Sequence, residues 1–256
     1  SMDEDAATLG SNFSSFINQL SNYSTDWQIM VANDDNGCTN SGILTPSTPG
    51  YTSTFNSAVQ GCSYCPWGEP SDTERLLTIA NNAVENTDAG ECNSGFMRSN
   101  ALLHIVLVSD EPEQSGNTWD YYVDQMIAKK GNTANIRISA IAGDYPGGCS
   151  GNGAYADAGS GYWEAVNATG GIFMSFCSNW SSPQNLQLLA EASVIVNSYP
   201  LDYPAVESTI VVEINGLPVV GPWHYDASTN SVIFDTFPPE EGDLVRIEYA
   251  AMADCD

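Results

Sequence analysis

From Ala101 to Ser115 the chain reads Ala-Leu-Leu-His-Ile-Val-Leu-Val-Ser-Asp-Glu-Pro-Glu-Gln-Ser, an apolar run that ends at a carboxylate. A run of Leu, Ile and Val without polar alternation is the pattern of a strand covered on both faces, and such strands belong to parallel sheets flanked by helices. It predicts a central strand over residues 102–109 with Asp110 at its carboxyl end. Ligands of open α/β sheets bind at that edge, which makes Asp110 a site candidate. Ser-Asp-Glu-Pro is equally good turn chemistry, so a purely structural Asp110 stands beside the functional one.

Around that strand, helical and strand periods alternate. Leu9, Phe13, Phe16, Ile17 and Leu20 share one face of a helix predicted over 5–20, and 27–32 reads as a short strand. Residues 33–70, rich in Gly, Ser, Thr, Asn and Pro, read as a long decorated loop with one edge strand near Ile43 and a short helix near Phe55. Ser71 and Glu74 form a capping box for a helix with the buried stripe Leu76, Leu77, Ala80, Ala83 and Val84. A helix with Trp119, Tyr122, Val123, Met126 and Ile127 on one face follows, then a strand over 136–142, a helix over 162–166, a strand over 172–176 and a helix over 183–196. The order predicts a doubly wound α/β domain with a mostly parallel sheet over residues 1–199. Pro200 and Pro204 mark a linker. Short strands over 209–214, 219–223, 231–234 and 244–249, the first two joined at Asn215-Gly216, make a small all-β module over 205–256.

Six Lys and Arg against 32 Asp and Glu leave a formal net charge of −26. Phosphate neutralisation and polybasic contact are both out of reach, which excludes nucleic acid and anionic lipid as partners and favours divalent cations. No apolar window is long enough to span a membrane, and no signal peptide is present, so the chain reads as a mature or trimmed product. Of seven cysteines, Cys62 and Cys65 are the one close pair, without the second pair or histidine cluster of a zinc site. Disulfides fit better, with one thiol left over, and imply a secreted, cell-surface or periplasmic location.

Signatures of enzymes are weak. Gly151-x-Gly153-x-x-Ala156 has the outline of a dinucleotide fingerprint, but it lies in a Gly/Ser-rich loop with no acidic partner after a following strand. No Gly-x-Ser-x-Gly occurs. The two histidines are His104, expected to be a buried hydrogen-bonded residue of the central strand, and His224 in the β module.

The alternating order, the strand ending Val-Leu-Val-Ser-Asp110-Glu111, the helix start Ser71-Asp-Thr73-Glu-Arg-Leu-Leu, and the stretches Tyr162-Trp and Gly170-Gly171-Ile-Phe-Met-Ser-Phe-Cys177 together resemble a von Willebrand factor A domain of the secreted bacterial type. The resemblance covers nearly the whole chain. It implies a metal-ion-dependent adhesion site in which three loops hold a divalent ion: Asp-x-Ser-x-Ser after the first strand, a Thr before the third helix and an Asp after the fourth strand. Asp110 matches the last. Ser71 matches the second by its spacing to the helix, with Thr73 the neighbouring candidate, and a hydroxyl ligand is kept either way. The first loop is where the chain departs. Ser1-Met2-Asp3 fits the end of that motif, which would make Ser1 a ligand, and fits the remnant of an expression tag equally well. Hard oxygen ligands imply Mg²⁺, or else Mn²⁺ or Ca²⁺, with one position open to an acidic group of a protein partner. Glu111 and Trp67 fall on the ligand rim.

The implied function is extracellular, metal-dependent adhesion or protein-ligand binding without catalysis. A metal-free spacer domain in a surface assembly is the alternative, and a hydrolase using the Gly-rich loop after Asp144 comes third. Two structural expectations follow from the strand order. Neighbouring strands ending near Ala142 and Phe176 bring Cys149 within reach of Cys177 for a disulfide. In a sheet of order 3-2-1-4-5-6 the first strand is central, and none precedes the first helix, so a slot opens between 27–32 and 102–109. Those segments must close on each other or receive a strand from an N-terminal fragment or another chain, and the supplied strand is the expectation.

Overall fold

The structure, a computed structural model, describes residues 3–23, 26–60, 74–98, 101–131, 133–194, 198–221, 223–227, 230–234, 239 and 243–252, and every absence noted below is an absence among these. The chain divides into two units, Ser1–Val194 and Ile195–Asp256. In the first, chain order runs α1 (Asp3–Leu20), α2 (Tyr51–Gln60), α3 (Leu76–Glu85), β1 (Leu103–Val108), α4 (Trp119–Lys130), β2 (Ile136–Ala142), β3 (Cys149–Gly151), β4 (Ala154–Ala156), α5 (Tyr162–Thr169), β5 (Phe173–Ser175) and α6 (Pro183–Glu191). β1, β2 and β5 form a parallel sheet in that spatial order, joined through the α4 and α5 crossovers. The unit is mixed α/β.

Alternation along the strands divides the core between the two sheet faces. Leu103 and Leu107 of β1 with Ile138, Ala140 and Ala142 of β2 meet Leu77 and Val84 of α3, Met126 of α4 and Tyr162 of α5. Ile141 of β2 and Met174 of β5 turn the other way and pack with Phe176, Trp180 and Leu189 of α6. Leu77 and Met126 are completely enclosed, and truncating either to Ala costs about 2–5 kcal/mol. The helical stripe of α1 buries Phe13, Ile17 and Leu20 against Phe55, Trp27, Leu44 and Ala190. Helix ends follow local chemistry. α4 stops at Gly131, in the left-handed region at φ 84°, after Lys129 and Lys130 have met the negative end of the helix dipole. α6 starts with Ser182 accepting from the Asn185 N–H at 3.3 Å and Pro183 in the first turn.

Several expectations need correction. Residues 27–32 make no sheet strand, only a one-residue antiparallel bridge from Ile29 to Leu44. Polar side chains explain this: the Val31 N–H donates to Ser41 Oγ, and its carbonyl accepts from Asn40 N and Thr39 Oγ1. The Ser71–Glu74 capping box does not cap α3, whose N-cap position is Arg75 with no side-chain cap bond; Ser71 itself lies outside the described residues. α6 ends five residues before the expected 196, at Glu191, where the Ser193 and Val194 amides tighten onto the Ala190 and Glu191 carbonyls. Gly151 and Gly153 belong to the unexpected β3–β4 hairpin, turned at Asn152 (φ 52°) and Gly153 (φ 85°), as a two-residue hairpin turn requires.

The sheet order leaves β1 at an edge. No strand among the described residues pairs with its outer side, and direct closure by residues 27–32, the alternative to a supplied strand, does not occur.

The second unit contains β6 (Ser198–Pro200), β7 (Val211–Ile214), β8 (Leu217–Pro218), β9 (Trp223–Asp226), β10 (Ser231–Phe234) and β11 (Val245–Glu248) in two antiparallel sheets, β6-β10-β9 and β11-β7-β8. Ala205, Ile210, Val212, Val232 and Phe234 are its core. Asn215 and Gly216 take positive φ between β7 and β8. Pro200, expected in a linker, instead ends β6, an edge strand where a missing N–H is tolerated.

Candidate functional site

The carboxyl edge of the parallel sheet is built by one turn. Ser109 extends the β1 ladder by donating its N–H to the Ile141 carbonyl at 3.1 Å. Its enclosed hydroxyl donates to the Glu111 carbonyl and accepts from the Glu111 N–H, at 2.9 and 3.1 Å. That clasp sets Asp110 at the turn between them. The Asp110 carbonyl accepts from Asp157 N at 2.9 Å, and Gly159 N donates to the Gly143 carbonyl at 2.9 Å, which ties the segment after β4 to the end of β2. A Cβ at Gly143 would lie 1.9 Å from the Asp157 carbonyl oxygen, so this backbone approach requires glycine.

Acidic side chains gather here in two roles. Burial first, then the Asp110 carboxylate, with Glu111 adding, push the Glu74 carboxyl above its ordinary range. Glu113 is structural: Oε2 accepts from Leu77 N at 2.9 Å and Oε1 from Ser115 N at 2.6 Å, while its own N–H donates to the Ser160 carbonyl. Together with Ser115, whose Oγ accepts from Thr78 N at 3.0 Å, it caps α3 from outside that helix. Gly161 lets this loop close, since a Cβ there would meet the Glu113 Cβ at 2.5 Å. Tyr162, enclosed under the edge, keeps its phenol proton because burial, followed by Glu113 and Glu74, drives its pKa upward.

Of the residues singled out in the sequence, Asp110 and Glu111 come together on this edge, Glu111 exposed and bonded to Gln114. Ser1, Trp67, Ser71 and Thr73 lie outside the described residues. Cys149 and Cys177 are bonded, their Cα atoms 5.9 Å apart, and Cys38 is bonded to Cys92. Sequence reasoning missed Glu74, which it assigned to a cap, Glu113, which has no local signal, and the exposed stack of Tyr145 on Trp163, with ring centroids 4.6 Å apart.

His104 is occupied away from the edge, with Nδ1 2.7 Å from Ser193 Oγ and Nε2 2.7 Å from Ser139 Oγ. Ser193 Oγ donates to the Leu189 carbonyl, so it must accept from Nδ1–H; Ser139 Oγ already accepts from Ile172 N, so its proton goes to Nε2. One neutral tautomer satisfies the whole chain. Burial, with Arg137 adding, lowers the ring's pKa to about 3.

Chemically, the edge offers hard oxygen donors, partly buried at Glu74 and Asp110 and exposed at Glu111, and no imidazole. Asp110, Glu74 and Glu111 suit a hard divalent cation by donor type. Among the described residues no group of three His, Cys, Asp or Glu side chains is arranged to hold one. No protein-family model matches the chain, and no curated protein matches it.

Proposed function

We propose that the first unit is a doubly wound, metal-dependent protein-binding domain of the von Willebrand factor A kind, acting outside the cell. The observation that carries the reading is the Ser109 turn, which sets Asp110 and Glu111 at the end of β1 near the half-buried Glu74, whose carboxyl is pushed up by burial first and then by Asp110 and Glu111. A divalent cation at this edge would relieve that repulsion. Asp110 would hold the ion, with Ser71, Thr73 and Ser1 the hydroxyl donors that the resemblance supplies. The bound metal would give a Lewis-acidic point for a partner carboxylate, and Glu111 with the Tyr145–Trp163 stack would form the rim. Two disulfides are compatible with an oxidising compartment. No helix among the described residues is long and apolar enough to cross a membrane.

Titration calorimetry with Mg²⁺, Mn²⁺ and Ca²⁺, paired with thermal unfolding, tests the reading. Mg²⁺ at about 100 times its dissociation constant should stabilise the fold by about 2.7 kcal/mol, and Asp110→Ala should abolish both the heat and the stabilisation. A second reading is a metal-free spacer domain, in which the polar residues of this edge serve the turn from Ser109 to Ser115. Unfolding curves that coincide in EDTA and in millimolar Mg²⁺ would decide for it.

A further inference from the structure

The outer side of β1 is the longer of the two edges of the β1-β2-β5 sheet, and its hydrogen-bonding groups can be assigned. In a parallel ladder the N–H and C=O of one residue point to the same side, and successive residues alternate. Ser109 N bonds to Ile141 of β2, so Leu103, Ile105 and Leu107 also face β2. His104, Val106 and Val108 therefore turn their backbone groups outward, where no strand meets them among the described residues. Val106, in the middle of the strand, is 36% exposed, and Ile105 and Val108 are partly exposed. Natural edge strands are protected by charges, prolines or bulges. The run from Leu103 to Val108 has none of these, which is the composition of an interior strand.

Charge along this edge is polarised. Arg98 and Lys130, whose Nζ donates to the Arg98 carbonyl, lie towards the amino end of β1, where Asp26 pairs with Arg98 at 2.8 Å; Arg137, opposite His104 on β2, gives its Nη1 to the Ala192 and Val194 carbonyls. At the carboxyl end stand Glu74, Asp110 and Glu111. A second copy is a poor occupant, since each chain carries a net charge of −26. We propose that this edge is a strand-addition site for another polypeptide: an apolar extended segment that pairs parallel to β1, flanked by acidic residues on its amino side and basic residues on its carboxyl side. The parallel sense continues the β1-β2-β5 sheet, and the flanking charges then meet their opposites at both ends. Apolar side chains are needed in both directions of the alternation, because both faces of the sheet are packed.

The probe is the synthetic peptide Asp-Asp-Val-Ile-Val-Val-Ile-Val-Lys-Lys, added to the full chain and read by residue-resolved amide hydrogen exchange. In the free protein the His104, Val106 and Val108 amides should exchange faster than those of Ile105 and Leu107. The peptide should slow the first three by about tenfold or more, while the same peptide written in reverse should not. Val106→Lys, with Val106→Pro as a second variant that removes an outward N–H and leaves the β2 ladder bonds in place, should abolish the protection. The proposal is overturned if those three amides are already slow in the free protein, if the reversed peptide protects them equally, if the forward peptide does not bind, or if protection rises with protein concentration alone through self-association.

Discussion

Acidification from pH 7 to pH 5 should destabilise the protein through His104 alone by an amount the structure fixes. The imidazole is held neutral, with its pKa lowered from 6.5 to about 3 by burial and by Arg137. The unfolded chain binds the proton near pH 6.5 and the folded one does not, so stability rises with pH between the two values. It is complete above pH 6.5 and is lost progressively as pH falls towards 3. One extra proton on the unfolded chain gives a slope of about 1.4 kcal/mol per pH unit, and integration from pH 7 to pH 5 gives about 2 kcal/mol. Glu74 acts in the opposite sense, since its raised folded pKa makes acidification favourable, so total stability cannot isolate the histidine. The difference between the wild type and His104→Val can. Ser139 keeps its bond from Ile172 N and Ser193 keeps its bond to the Leu189 carbonyl in the variant, while the Ser139 hydroxyl proton loses its acceptor, a cost that is the same at both pH values and cancels in the comparison. Urea titrations of both proteins at pH 7 and pH 5 should show the wild-type advantage shrinking by about 2 kcal/mol. A difference unchanged across that range would refute the buried neutral ring, as would nitrogen shifts showing an imidazolium at pH 5.

Two further outcomes follow from hydrogen bonds and disulfides of the first unit. Glu113→Ala strips the acceptor from the Leu77 and Ser115 amides and should cost about 1–3 kcal/mol in chemical denaturation. Replacing Cys149 and Cys177 together by Ser opens a link of sequence separation 28 and should lower stability by about 3.6 kcal/mol; the same change at Cys38 and Cys92, separation 54, by about 4.2 kcal/mol. Equal losses, or a larger one for the shorter link, would show that chain entropy does not govern either bond.

What the sequence made legible is what periodicity encodes. The α1 stripe ending at Leu20, the bounds of β2 and of β10, and the reach of Cys149 to Cys177 all follow from local spacing and strand order. Residues 27–32 misled because their apolar composition suits a strand, while Ser41 and Thr39 compete for the Val31 backbone, a contest that no window of hydropathy registers. The β3–β4 hairpin was announced by Asn152-Gly153, the same signal read correctly at Asn215-Gly216, and was obscured by the glycine spacing around it. At the site, Asp110 was visible as the residue that ends an apolar run. Glu113 was not, because a carboxylate that caps a helix 36 residues upstream leaves no mark in its own neighbourhood.

That distant cap also sets an order of assembly. The loop from Ser109 to Ser115 is held by Leu77 and Thr78 from one side and by Asp157 and Ser160 from the other, across α4 and β2. Each of these bonds closes a long stretch of chain, and none can form before β1, α3 and the turn ahead of α5 have found one another. The edge that carries Asp110 therefore rests on contacts between segments far apart in sequence and is complete only when β1, α3 and the turn ahead of α5 are together. A nascent chain lacks this edge until the segment ahead of α5 has been made.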